Sequence, residues 1–241
     1  MGNMLHVSQP LADRPTLAEA VVEAMRDGIR DRTFVPEQTY SVQQVADRLG
    51  VSRSPVREGL LKLEEAGLVQ FSRNRGFHVV LPRSRDVAEI FGVRLALEPA
   101  AAARVARRGD DDLLAAVRAA MDALRTAAAA VDDAEFWHHD RELHRLLLVG
   151  GGNPRAANIV AALRSTTALL GPPTSAGPRD LRQIGEEHAP IVEAVLGRDG
   201  SGAAAAMTAH LTSTGLLLVA QAEGVPADHP DVRAIWDDVV G

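Results

Sequence analysis

The chain has 241 residues, 46% of them hydrophobic, enough to bury the core of one large domain or two smaller ones, of which two is the favoured reading. It contains no cysteine, which excludes a disulfide framework, a thiolate nucleophile and Cys-ligated zinc or iron–sulfur sites, so any metal must rest on nitrogen and oxygen ligands. No signal-peptide pattern opens the chain and no uncharged apolar run of about eighteen residues is read in it, so a soluble cytoplasmic protein with no membrane partner is expected.

Residues 1–15 are polar, with two prolines, and predict a disordered arm. Thr16 then caps a helical pattern in which Leu17, Val21, Val22, Met25 and Ile29 recur, until Phe34-Val35-Pro36 breaks it. Ser41 caps a second, short helix through Leu49, and Gly50 ends it because positive φ is free of a Cβ penalty there. Ser52 caps a third helix from about Arg53 to Ala66, with Val56, Leu60, Leu63 and Glu64 at intervals of three or four, and Gly67 stops it.

After Gly67 the period becomes strand-like. Leu68 to Phe71 and Gly76 to Val80 flank the polar tip Ser72-Arg73-Asn74-Arg75, which predicts a two-stranded hairpin. Three helices and an arginine-tipped hairpin form a winged helix-turn-helix over residues 16–81. The net charge of −6 speaks at first against nucleic acid, but it is unevenly placed. Residues 41–85 hold eight Arg or Lys against four acids, whereas residues 86–241 hold 14 Arg against 22 acids. A basic N-terminal unit suits phosphate contact, and an acidic remainder limits non-specific adhesion to DNA.

From Pro82 onward only helical patterns are found, so the chain is mainly α, with an all-α bundle over residues 82–225 and a tail at 226–241. Helices are expected over 86–107, 111–130, 132–148, 154–170, 178–196 and 200–223, with a short one over 231–239. Alanine-rich stretches such as 100–103 and 127–130 read as close helix packing. Asp140 and His144 stand four apart on one of these helices and therefore share a face.

The segment VSRSPVREGLLKLEEAGLV, Val51 to Val69, resembles the recognition-helix signature of the GntR family of bacterial regulators. FGVRLALEPAAA, DRELHRLLLVGGGNP, EEHAPIVEAVLGRD and AMTAHL follow in the order and spacing of the FCD domain of its FadR subfamily, so the likeness covers about residues 16–223. The resemblance implies a homodimeric, ligand-responsive regulator, more often a repressor, on a pseudo-palindromic double-stranded DNA operator. It places Arg53, Ser54 and Arg57 in the major groove, where arginine can give two donors to guanine, with Ser52 and Ser54 positioning the helix on phosphate. Arg73 and Arg75, with Gly76 permitting the turn, would reach the minor groove or nearby phosphates. A solvated pair of Arg57 with Glu58 or Glu64 is the plainer alternative. Gln43 stands where some relatives carry a DNA-contacting arginine, which weakens a base contact there.

The same resemblance implies a metal site at Asp140, His144, His188 and His210. One carboxylate and three imidazoles suit zinc first, with nickel or manganese as further choices. His138, His139, His78 and His229 are left out of it. Arg94 matches the arginine of the family's R-x-x-L-E block and would clamp the carboxylate of a small acid metabolite, unless it only pairs with Glu98 along the helix. Pro99 next to that pair predicts a kink or an altered helix. Two rival readings remain open at this point: a metallohydrolase with an accessory DNA-binding domain, and a metal that only staples the helices. The likeness itself implies a regulator and no enzyme.

Overall fold

The computed structural model describes residues 16–36, 38–72, 75–168, 170 and 179–241. The expected N-terminal arm and the wing-tip residues Arg73 and Asn74 lie outside these described residues. The chain divides into two compact units, Met1–Leu81 and Pro82–Gly241.

In the first unit α1 (Leu17–Arg30) is opened by a reciprocal capping box between Thr16 and Glu19. A second box between Ser41 and Gln44 opens α2 (Val42–Leu49), and Gly50 closes it at φ +66°. α3 (Arg53–Glu65) buries Val56, Leu60 and Leu63 against α1 and α2, together with Val21, Met25 and Val45. The approach to α1 is close at Gly59, where a Cβ would stand 2.9 Å from the Ala18 carbonyl oxygen.

The wing differs from the expected two-stranded hairpin. β2 (Val69–Ser72) and β3 (Gly76–Val79) pair antiparallel as anticipated, but β1 (Thr39–Tyr40) adds to the free edge of β3, giving the order β1-β3-β2. Two residues are too few to show an alternating pattern, so β1 has no sequence signal; pairing with β3 creates it. Phe34, Tyr40, Phe71 and Phe77 form an aromatic chain beneath this sheet.

The second unit is all helical among its described residues: α4 (Ser84–Arg108), α5 (Asp111–Ala130), α6 (Asp133–Gly150), α7 (Pro154–Thr167), α8 (Leu181–Glu186), α9 (Ala189–Leu196), α10 (Gly200–Glu223) and α11 (Pro230–Val240). α4 and α10 share the most extensive packing, and Val87, Phe91, Val105, Leu124, Phe136, Leu143, Ile191 and Leu211 lie in the common core. Three expectations change here. Pro99 is buried inside an unbroken α4 and does not end it, so surrounding packing outweighs the lost amide donor. The helix expected over 178–196 is two, because Pro190 has no N–H to continue the ladder from α8 and the chain breaks at Glu187-His188. The tail is not separate: α11 packs on α4 and α10, with Trp236 buried against Phe91 and beside Gly215.

α10 also corrects the reading of apolar runs. Gly200 to Ala222 carries no Asp, Glu, Lys or Arg, and its mean hydropathy of 1.4 meets the length and composition of a membrane-crossing helix. Its buried positions Ala203, Met207, His210, Leu211, Gly215 and Val219 instead form the stripe of a core helix packed against α4, α9 and α11.

Candidate functional sites: a DNA-reading face and a buried histidine cluster

The N-terminal turn of α3 presents Ser52, Arg53, Ser54 and Arg57, all exposed, on the face opposite Val56 and Leu60. Ser52 occupies the cap position with extended backbone, yet its side chain makes no capping hydrogen bond, contrary to the sequence expectation. Its hydroxyl therefore stays available at the helix N-terminus, where backbone N–H groups favour phosphate. Among the described residues Arg57 makes no ion pair with Glu58 or Glu64; the Phe71 N–H donates to Glu64 at 3.1 Å and ties α3 to the wing.

Arg75 is exposed at the wing turn. Gly76 is required by the backbone: at φ +99° it is in a region L-residues avoid, and a Cβ would overlap the Tyr40 carbonyl oxygen of β1. Gln43 is engaged with Asp47 at 2.6 Å along α2.

In the second unit Asp140 and His144 from α6, His188 at the α8–α9 break and His210 from α10 are all buried and brought together. One ring nitrogen from each histidine lies within 4.8 Å of the others. His144 Nε2 and His188 Nε2 stand 3.4 Å apart, and Asp140 Oδ1 is 3.1 Å from His188 Nε2 and 4.0 Å from His144 Nε2. His138 is exposed, His139 pairs with Glu135 at 3.4 Å, His78 lies on β3 and His229 caps α11.

Two second neighbours set the direction of these rings. His144 Nδ1 is hydrogen-bonded to Glu98 Oε2, and a carboxylate can only accept. His188 Nδ1 donates to the Ile184 carbonyl at 3.0 Å. That carbonyl is free because the helix breaks: the His188 N–H turns to Gly185 instead, at 3.1 Å. With both Nδ1 atoms engaged in this way, the Nε2 atoms of His144 and His188 face one another, with the Asp140 carboxylate beside them.

Burial disfavours the charged form of two of these histidines. Burial pushes His144 down to about 4, aided by Arg164 and opposed by Glu98, and burial with His188 pushes His210 down to about 3. For Asp140 burial alone would raise the carboxyl, but Arg164, which forms an ion pair with its Oδ2, and the His188 contact hold it well below the ordinary range. Glu98 is likewise lowered, burial being outweighed by Arg94 and His144.

Arg94 donates Nε to Glu98 Oε1 at 2.6 Å, so the helix pair expected as an alternative is present, but Glu98 reaches beyond it to His144. Arg94 Nη2 remains buried with no hydrogen-bond partner among the described residues. Sequence reasoning missed Glu98 as the partner of His144, Arg164 as the partner of Asp140, and Arg179 and Glu187, which pair at 2.5 Å. Glu187 lies 3.7 Å from His210 Nδ1. Only Glu98 carried a signal, its place one helical turn after Arg94.

An exposed recognition helix with a wing in one unit, and a buried polar site inside a helical bundle in the other, define a DNA-binding regulator with a second, all-helical domain. A family model described as bacterial regulatory proteins of the gntR family matches residues 17–79, and the FCD domain matches residues 89–213, more than half of the chain. The chain belongs to the GntR family of transcriptional regulators, with an FCD domain, and is not an enzyme. It is 38% identical over 87 residues to an uncharacterised HTH-type transcriptional regulator of Agrobacterium vitis, a stretch covering 36% of this chain and 51% of that protein. It is 26% identical over 193 residues to the HTH-type transcriptional repressor RspR of Escherichia coli K12, covering 80% and 85% of the two chains. Among solved structures, E. coli McbR/YncC superposes with a TM-score of 0.70 at 18% identity over 85% of this chain and 98% of that one, a likeness of fold.

Proposed function

We propose that this regulator is a homodimeric repressor that reads a pseudo-palindromic double-stranded operator and responds to a small carboxylate metabolite at a metal site in its helical unit. Four groups would hold the ion: Asp140 Oδ1 and a nitrogen each from His144, His188 and His210. The observation that carries this reading is the meeting of three buried histidine nitrogens. Two zinc-bound nitrogens at about 2.0–2.1 Å from a common tetrahedral ion stand roughly 3.4 Å apart. His144 Nε2 and His188 Nε2 are 3.4 Å apart, and Asp140 Oδ1 is 3.1 Å from the latter.

Nitrogen atoms facing one another at this distance repel unless a proton or a cation lies between them, and a metal ion serves three nitrogens at once. Zinc suits the donor set best, with nickel or manganese next. Such an ion supplies an anchoring point for a carboxylate oxygen. This chain's own contribution is orientation: Glu98 and the Ile184 carbonyl hold the rings, and the unpartnered Nη2 of Arg94 is a donor for the ligand. Repression is supported by the name of RspR.

On DNA, Arg53 and Arg57 would read bases while Ser52, Ser54 and Arg75 hold phosphates, and two copies would set their recognition helices about 34–36 Å apart. Elemental analysis with native mass spectrometry of the purified protein tests the central claim. One equivalent of metal per chain in a dimer is expected, with metal lost in His188→Ala; a metal-free wild-type protein after exposure to zinc, nickel and manganese overturns it.

A further inference from the structure

The histidine cluster is ringed by more buried charge than a metal shell requires. Arg94 on α4 uses Nε on Glu98 and keeps Nη2 buried and unpartnered. Arg164 on α7 uses a terminal nitrogen on Asp140 and keeps Nε buried and unpartnered. Arg179 gives Nη1 to both oxygens of Glu187, at 2.5 and 2.6 Å, and keeps Nε and Nη2 buried and unpartnered. Arg94, Arg164 and Arg179 therefore balance Glu98, Asp140 and Glu187 one to one among the described residues.

A divalent ion added to these balanced pairs brings two positive charges in excess. Buried charge without a counter-charge is strongly unfavourable, so the missing partner is an anion, and a single carboxylate supplies only half of what is needed. The unpartnered guanidinium nitrogens of Arg94, Arg164 and Arg179 come from separate segments, which suits two separated anionic groups better than one. Resting on the metal reading above, we propose that the ligand of this site is a dianion, a small dicarboxylate, with one carboxylate at the metal position and Arg94 and the other on Arg164. Arg164 thus acts twice, occupying Asp140 Oδ2 so that Oδ1 stays toward His188, and offering Nε to the second carboxylate.

The test uses full-length protein loaded with zinc, its stoichiometry confirmed by elemental analysis. Calorimetric titration compares malonate, succinate and glutarate with their own half-amides, which keep the skeleton and lose one charge. At least one diacid is expected to bind about tenfold tighter than its half-amide, the scale of one charge-assisted contact. In Arg164→Gln, compared at saturating zinc, that ratio should fall toward parity. Parity across the whole series in zinc-loaded wild type overturns the dianion assignment and leaves the metal reading standing. A protein that takes up no zinc overturns both. Should Arg164→Gln fail to fold, the wild-type ratios still decide.

Discussion

Glu98 illustrates how much a single buried side chain can organise. It accepts from Arg94 on its own helix and from His144 on α6, so it joins a candidate ligand donor to a candidate metal donor. Replacing it by glutamine keeps the shape but lets the amide donate as well as accept, which releases the His144 tautomer. Glu98→Gln should weaken zinc binding by about 10- to 100-fold in competition with a chromophoric chelator. Unaltered affinity would remove Glu98 from the support of the site. On the DNA face the two arginines differ in what they contact. Arg53→Ala should cost about 1–3 kcal/mol of discrimination against altered operators. Arg75→Ala should weaken specific and random DNA alike, with a shallower salt dependence. Anisotropy titrations over several salt concentrations separate the two, and equal losses on specific and random DNA for Arg53→Ala would refute base reading.

At the scale of elements, the wing depends on a contact between strands distant in sequence. Gly76 lets β3 lie against the Tyr40 carbonyl of β1. Gly76→Ala should destabilise the first unit by at least about 1–3 kcal/mol, through the unfavourable φ and the overlap with Tyr40, as read by chemical denaturation. The α8–α9 break is a second case. Pro190 ends α8, the unused Ile184 carbonyl accepts from His188, and a helix boundary thereby sets a ring orientation. The third is α11, whose Trp236 lies against Phe91 of α4 and above Gly215 of α10. Trp236→Ala should cost about 3–5 kcal/mol in the second unit, and a change within error would show that α11 is an appendage.

For the whole molecule, metal binding and folding should be linked in one unit and not in the other. Ions that bind the folded form stabilise it by mass action. Chelation should therefore lower the melting transition of the helical unit, while the amide spectrum of residues 16–80 stays in place, and His188→Ala should reproduce both effects. Complete unfolding of the helical unit on chelation, with no acid altering DNA affinity, would instead identify the metal as a staple.

How much of this was legible in the sequence follows from the range of the interactions involved. Caps, glycine stops and apolar spacing act within a few residues, so α1 to α3, the β2–β3 hairpin and the exposed arginines of α3 could be read directly. Asp140 and His144 share a face by helical period alone, and His188 and His210 could be added only through the likeness to a family. The strand β1, the continuity of α4 through Pro99, the seating of α11, the reach of Glu98 to His144 and the partners Arg164 and Glu187 had no such reading. Each exists because segments far apart in the chain meet, and burial then decides which charges must pair and which nitrogens must stay unprotonated. The sequence by itself determined a winged-helix DNA reader joined to a helical domain, because local periodicity and capping suffice for that. Only the tertiary structure decided that Asp140 and the three histidines converge within a charge-balanced ring of arginines and carboxylates, because convergence and desolvation are properties of packing.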